Sequence, residues 1–231
     1  ENLRKALLAP PASPSTPILG LDPGFKAGIK TASLNANGQL LEGSRSLCTV
    51  HFTGNNHETA KAQLAELLKT MREHHKSDQA KVVIALGNGH GTQEARTLVQ
   101  EASESLQIPI EVHLVNEAGA SVWSVTEAAA REFPNVPPAS VAAISIARRY
   151  QNPLPELVKI PPRSLGLGMY QHDFSEKVLD NKLHITSVDA VAAVGVDANA
   201  CSLEILEKVP GMTRALSERI IKARPLQSRK D

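Results

Sequence analysis

The sequence predicts an α/β fold, a mixed β-sheet with helices on both faces, followed by a small all-α unit. Three observations predict it. Short apolar runs begin the ordered part as a three-strand meander, apolar runs then alternate with amphipathic helical patterns, and no strand pattern recurs beyond residue 151.

Residues 1–17 read as a linker, because Pro10, Pro11, Pro14 and Pro17 lack a backbone donor and disfavour helix at the residue before them. Residues 18–21 form the first strand and run into Asp22-Pro23-Gly24. Residues 28–34 and 40–50 read as the second and third strands, joined by Asn-Ala-Asn-Gly at 35–38, which is hairpin-turn chemistry. Ala60, Leu64, Leu67, Leu68 and Met71 recur at helical spacing after Asn56, a capping residue type. The β-branched run at 82–86 closes on glycines and reads as a buried strand. Ala95, Leu98, Val99, Ala102 and Leu106 then mark a helix, and residues 110–115 a further strand. Val122, Val125, Ala129 and Phe133 predict a helix ending at Pro134, with another from Ser140. A hairpin start that gives way to βαβ alternation is the element order of the ribonuclease-H-like fold. The α/β domain is therefore expected over 18–150, a proline-rich connector over 151–182 and a helical unit over 183–231. The opening on Glu1 and the close in LQSRKD read as a piece of a longer chain.

The hydrophobic fraction of 42% suffices for a core, and with one Trp, two Tyr and four Phe that core must be aliphatic. A net charge of +1 selects no partner, but its distribution is uneven. Residues 208–231 carry seven basic and two acidic side chains, a net of +5 that leaves −4 on the remainder. Cys48 and Cys201 are too few and too far apart for a disulfide framework, which points to an intracellular compartment, nucleus or cytoplasm. No apolar stretch approaches the roughly 20 residues that span a bilayer, so no membrane partner is expected.

Asp22 raises the question of chemistry. Nucleases of this fold place an aspartate at the end of the first strand, where clustered carboxylates hold two Mg²⁺ ions roughly 4 Å apart. Asp22 stands in that place and Glu117 follows the fifth strand, but the fourth strand ends at neutral Asn88 and the last helix begins with Ser140. Two of four carboxylates are thus present, a vestigial set too small to restrain a cation pair. The other readings are a turn carboxylate for Asp22, with Gly24 permitting the tight turn, and a helix first-turn acid for Glu117. Asp173 and Asp189 are the remote sources of a third carboxylate. The glycine cluster at 87–91 lies where a phosphate could be cradled, yet it meets neither GxGxxG nor GxxxxGK[ST] spacing and reads as a tight strand-to-helix turn. The histidines and cysteines make no metal pattern, so no resident metal or other cofactor is expected; Mg²⁺ enters only with a nuclease.

The most specific functional signal is LEILEKVPGMTRALSERIIKAR, residues 203–224. Leu206, Val209, Ala215, Ile220 and Ile221 form an apolar set broken at Pro210-Gly211, which predicts two short helices joined by a glycine turn, a helix-hairpin-helix. The second helix opens with unpaired N–H groups and the positive end of its dipole, which suits a phosphate. Lys208, Gly211, Thr213, Arg214, Arg219 and Lys222 are the expected nucleic-acid contacts. Such contacts grip the backbone without reading sequence, so RNA and DNA both remain partners. The usual hairpin has a second glycine where this one has Thr213.

LGLDPGFKAGIK, VNEAGASVWS, ISIARRYQNPLPELVKI, LGLGMYQHDF and AVGVDANACS together resemble the Tex family of transcription accessory proteins, over residues 18–224. The resemblance implies a YqgF, ribonuclease-H-like domain followed by helix-hairpin-helix elements, set among other domains of a longer chain that ends in an OB-fold RNA-binding domain. It also implies nucleic-acid binding beside the transcription machinery and an incomplete nuclease site. The departures within these segments point to the vertebrate branch. The leading expectation is a non-catalytic nucleic-acid-binding module. The alternatives are a metal-dependent, structure-specific nuclease of the resolvase type using Asp22 and Glu117, and a protein-interaction scaffold in a transcription or RNA complex.

Overall fold

The computed structural model describes residues 1–43, 46–75, 80–169 and 171–227, with only the backbone of His172. Ser44 and Arg45 of the expected third strand, and Arg229, Lys230 and Asp231 of the basic tail, lie outside the described residues. The chain forms two compact units, residues 11–152 and residues 1–10 with 153–231. It opens with helix α1 (Asn2–Leu7), which corrects the reading of 1–17 as linker throughout. Its prolines all follow this helix, whose Leu3 and Leu7 are buried.

In the first unit five strands make one sheet: β1 (Ile18–Asp22), β2 (Ile29–Leu34), β3 (Leu47–Val50), β4 (Val82–Gly87) and β5 (Ile110–Val115). Their order is β3-β2-β1-β4-β5. The β1–β2 and β2–β3 pairs are antiparallel, while β1–β4 and β4–β5 are parallel. Antiparallel neighbours need only tight turns and parallel ones need helical crossovers, so the change from meander to alternation sets the change in strand sense. At the turn after β2, Asn35 Oδ1 accepts from the N–H groups of Asn37 at 2.8 Å and Gln39 at 3.0 Å. The third strand is shorter than expected. Of the described residues in 40–50, only Leu47–Val50 pair as a strand, and Leu40 makes an isolated bridge to Leu34.

Helices α2 (His57–Glu73) and α3 (Thr92–Leu106) cover one face, burying Leu64, Leu68, Leu98 and Val99 against Leu19, Leu21 and Ile84. Helix α6 (Pro138–Gln151) covers the other, where Ala143, Ile144, Ile146 and Ala147 meet Ile18, Ala32, Val83 and Ala85. The approach is close enough that a Cβ on Gly20 would lie 2.9 Å from that of Ala147. Between β5 and α6 the single expected helix is instead two, α4 (Ala120–Ser124) and α5 (Glu127–Glu132). The Thr126 hydroxyl accepts from the Ala129 N–H at 3.1 Å, and this cap competes with helix continuation. The apolar face also differs: Ala120, Trp123 and Ala129 are buried, while Val122 and Val125 are 42% and 72% exposed.

The second unit is helical: α7 (Pro153–Leu157), α8 (Glu176–Val194), α9 (Leu203–Leu206) and α10 (Arg214–Lys222) follow α1. Helix α1 packs against α7 and α8. A buried ion pair joins Lys159 Nζ to Glu156 Oε2 at 3.3 Å. Arg163 bridges to Asp180 at 2.7 Å and Glu176 at 3.2 Å. The residues read as connector, 151–182, therefore include all of α7 and the start of α8; prolines mark their loops but spare the helix that begins at Glu176. Among the described residues no helix is long and apolar enough to cross a membrane.

Candidate nucleic-acid interface and acidic site

Asp22 ends β1 and pairs in register with Lys30 of β2. Burial pushes its carboxyl from 3.8 to about 6; the Lys30 ammonium opposes the rise and the Glu117 charge adds to it. Gly24 makes room for that lysine, since a Cβ there would stand 3.2 Å from Lys30 Nζ. Its φ is not positive, so the expected conformational role in the turn gives way to one of space.

Glu117 follows β5, three residues before α4, and its side chain turns back toward β4 instead of capping a first turn. A Cβ on Gly87 would lie 2.5 Å from Glu117 Oε2, and one on Gly89 would collide with the same carboxylate. Asn88, where a nuclease would want an acid, ties the two loops together. Its N–H donates to Val115 O at 3.1 Å and its Oδ1 accepts from the Glu117 N–H at 3.2 Å. The buried Arg149 guanidinium donates to the carbonyls flanking Glu117, Asn116 O at 2.5 Å and Ala118 O at 3.0 Å. The carboxylate is thus aimed by its backbone, while Oε2 is buried and has no hydrogen-bond partner among the described residues.

This arrangement closes the glycine loop. The Thr92 hydroxyl lies 2.7 Å from both Gly87 O and Gly89 O, and a phosphate entering the loop would meet the Glu117 carboxylate. Asp22 and Glu117 sense one another, but Ser140 opens α6 without a charge, and Asp173 and Asp189 belong to the other unit. Among the described residues no three His, Cys, Asp or Glu side chains gather as a ligand set. These donors do not fit a two-cation centre, which needs more carboxylate oxygens than two side chains supply. Sequence reasoning missed Lys30 and Arg149 and read Gly87 and Gly89 only as part of a tight turn, because their roles beside Asp22 and Glu117 arise from strand register and loop contact.

In the helical unit α9 leads through residues 207–213 into α10. Gly211 has φ +82°, a left-handed value that glycine adopts freely, and nothing lies within 4 Å of where its Cβ would be. Thr213 is extended and its hydroxyl accepts from the Leu216 N–H at 3.3 Å, so the threonine caps the helix in place of a second glycine. The Arg214 and Ala215 amides remain at the helix opening. Ala215, expected in the apolar set, is exposed, because Ser217 takes the fully buried position on α10. Arg219 and Lys222 are exposed and share a face at helical spacing. Arg214 is already engaged, by Glu218 at 3.2 Å and Glu207 at 3.4 Å. Lys208 lies 3.4 Å from His184 Nδ1. The hairpin thus gathers Gly211, Thr213 and Arg214 at the start of α10 and places Lys208 toward α8, while Arg219 and Lys222, expected around the same spot, stand in the last turn of the helix, one to two turns away.

A sheet in this order with an aspartate closing β1, joined in sequence to a hairpin of two short helices, defines a ribonuclease-H-like domain of the YqgF type with a helix-hairpin-helix unit. The Tex protein YqgF-like domain matches residues 16–151, and a helix-hairpin-helix motif matches residues 191–231. The transcriptional accessory protein Tex of Neisseria gonorrhoeae is 38% identical over 222 residues, covering 96% of this chain and 27% of its own. Protein YhgF of Escherichia coli shows the same identity and coverage. The human S1 RNA-binding domain-containing protein 1 is 35% identical over 227 residues, 97% of this chain and 22% of its own. The chain belongs to the Tex family and spans about a quarter of the length of these curated relatives.

Proposed function

We propose that this chain is a nucleic-acid-binding module of a Tex-type transcription-associated protein, one that grips the sugar-phosphate backbone and does not cut it. The observation that carries the reading is the start of α10, where a left-handed Gly211, the capping Thr213 and Arg214 stand at one helix N-terminus, with Arg219 and Lys222 exposed in the last turn of the same helix. Backbone amides, dipole and side-chain charge all favour a phosphate there. Both cysteines are free, in keeping with a protein of the cytoplasm or nucleus. The printed names of the relatives, transcriptional accessory and RNA-binding, support the same assignment. Because such contacts read no bases, single-stranded RNA and duplex DNA should both bind. Fluorescence anisotropy across a salt series tests this. Arg219→Glu with Lys222→Glu should weaken binding to both, and the slope of log affinity against log salt should fall by about 1.5–2. An unchanged slope would remove the hairpin from the interface.

A metal-dependent nuclease is the second reading, favoured by the unpartnered Glu117 Oε2 near Asp22. Branched DNA and RNA incubated with Mn²⁺ or Mg²⁺ decide it: cleavage that Asp22→Asn abolishes would establish the nuclease and end the non-cutting assignment.

A further inference from the structure

Strand β5 closes one end of the sheet, with β4 on one side and no strand on the other among the described residues. Its hydrogen-bond alternation is fixed at both ends. Pro109 O accepts from the Val82 N–H at 2.9 Å before the strand, and Val115 O from the Asn88 N–H at 3.1 Å at its close. The odd-numbered residues of β5 therefore bond to β4, and the N–H and C=O groups of Ile110, Val112 and Leu114 point away from the sheet. Edges are usually blunted by a lysine, a proline or a bulge. β5 has none of these: its register with β4 runs unbroken from Ile110 to Val115, and Leu114 stands 58% exposed on it. Its one carboxylate, Glu111, is answered within the strand by His113, whose Nε2 lies 2.9 Å from Glu111 Oε1.

The order of side chains along the edge says what pairs with it. A second copy meeting the same edge across a twofold axis must run antiparallel. An axis at Glu111 would set carboxylate against carboxylate. An axis at His113 would set imidazole against imidazole and Glu111 against Val115. An axis at Val112 instead sets Glu111 opposite His113, Ile110 opposite Leu114 and Val112 opposite itself, each pair formed between the copies in both directions. The outward groups of Ile110, Val112 and Leu114 then meet one another in the narrow, bonded pairs of an antiparallel ladder. His113 is held in place for this, stacked on Tyr150 of α6 with ring centroids 4.4 Å apart. The strand is its own complement in that one register. We infer that β5 docks the β5 of a second copy of this chain, antiparallel about Val112, so that the two sheets continue as one.

Sedimentation velocity of the 231-residue chain tests this. An edge this short makes a weak dimer, so the concentration series must reach about 1 mM, over which the monomer should give way to a species of twice its mass. Val112→Pro removes the donor on the axis and spares the β4 ladder, because that N–H faces outward; it should leave monomer alone. Glu111→Lys loses the carboxylate that faces His113, and His113→Glu sets carboxylates opposite one another. Each alone should associate about tenfold more weakly than the unaltered chain. An equal mixture of the two brings the introduced lysine opposite the introduced glutamate and should restore association, which a local effect of either change on folding would not do. The charge variants stand whether or not the proline variant folds. Monomer throughout the series, association that the proline variant retains, or a mixture no better than its parts would each overturn the inference.

Discussion

The carboxylate of Glu117 occupies the space that a side chain on Gly89 would need. A glycine in the β4–α3 loop and an acid after β5 are thereby one packing unit. Gly89→Ala should push the carboxylate away from the loop and destabilise the chain by about 1–3 kcal/mol, the usual cost of overpacking. The φ of Gly89 is not left-handed, so backbone strain adds nothing. In a Glu117→Ala background the same substitution should be nearly neutral. A double-mutant cycle by urea denaturation checks the coupling, and additive effects would show that the two residues are independent.

Asp22 makes stability depend on pH. Its carboxyl rises from 3.8 in the open chain to about 6 in the folded one. Between those values the folded chain keeps a proton that the unfolded chain has released, so stability falls as pH rises through that window. The loss is complete above the folded value and amounts to at most about 3 kcal/mol. Asp22→Asn, which cannot ionise, should flatten the profile and stabilise the chain at pH 7.5. Urea midpoints at pH 4.5 and 7.5 for both proteins measure it; parallel profiles would mean that Asp22 is not the titrating group.

Arg214 reaches a phosphate only by leaving Glu207 and Glu218, which hold it at 3.4 and 3.2 Å. Exposed ion pairs of this kind contribute less than about 1 kcal/mol, so they temper the hairpin without closing it. Glu207→Gln with Glu218→Gln should tighten nucleic-acid binding about two- to fivefold and steepen its salt dependence. Arg214→Gln in that background should cancel the gain. Affinity that ignores both changes would place Arg214 outside the contact.

The sequence by itself determined what local chemistry dictates: an aliphatic sheet opened by a meander, the Asn35 turn, and helices α2, α3, α6 and α10. Each is set by residues within a few positions of one another, where side-chain period and turn preference act directly. It misread α1 and the start of α8, because prolines mark loops more strongly than short apolar spacing marks a helix. Tertiary structure alone decided that Gly87 and Gly89 make way for Glu117, that Lys30 faces Asp22, that Arg214 is held by two glutamates, and that β5 takes the edge of the sheet. Those relationships join residues that strand register, loop closure and helix packing bring together, and no pattern along the chain encodes a distance across it.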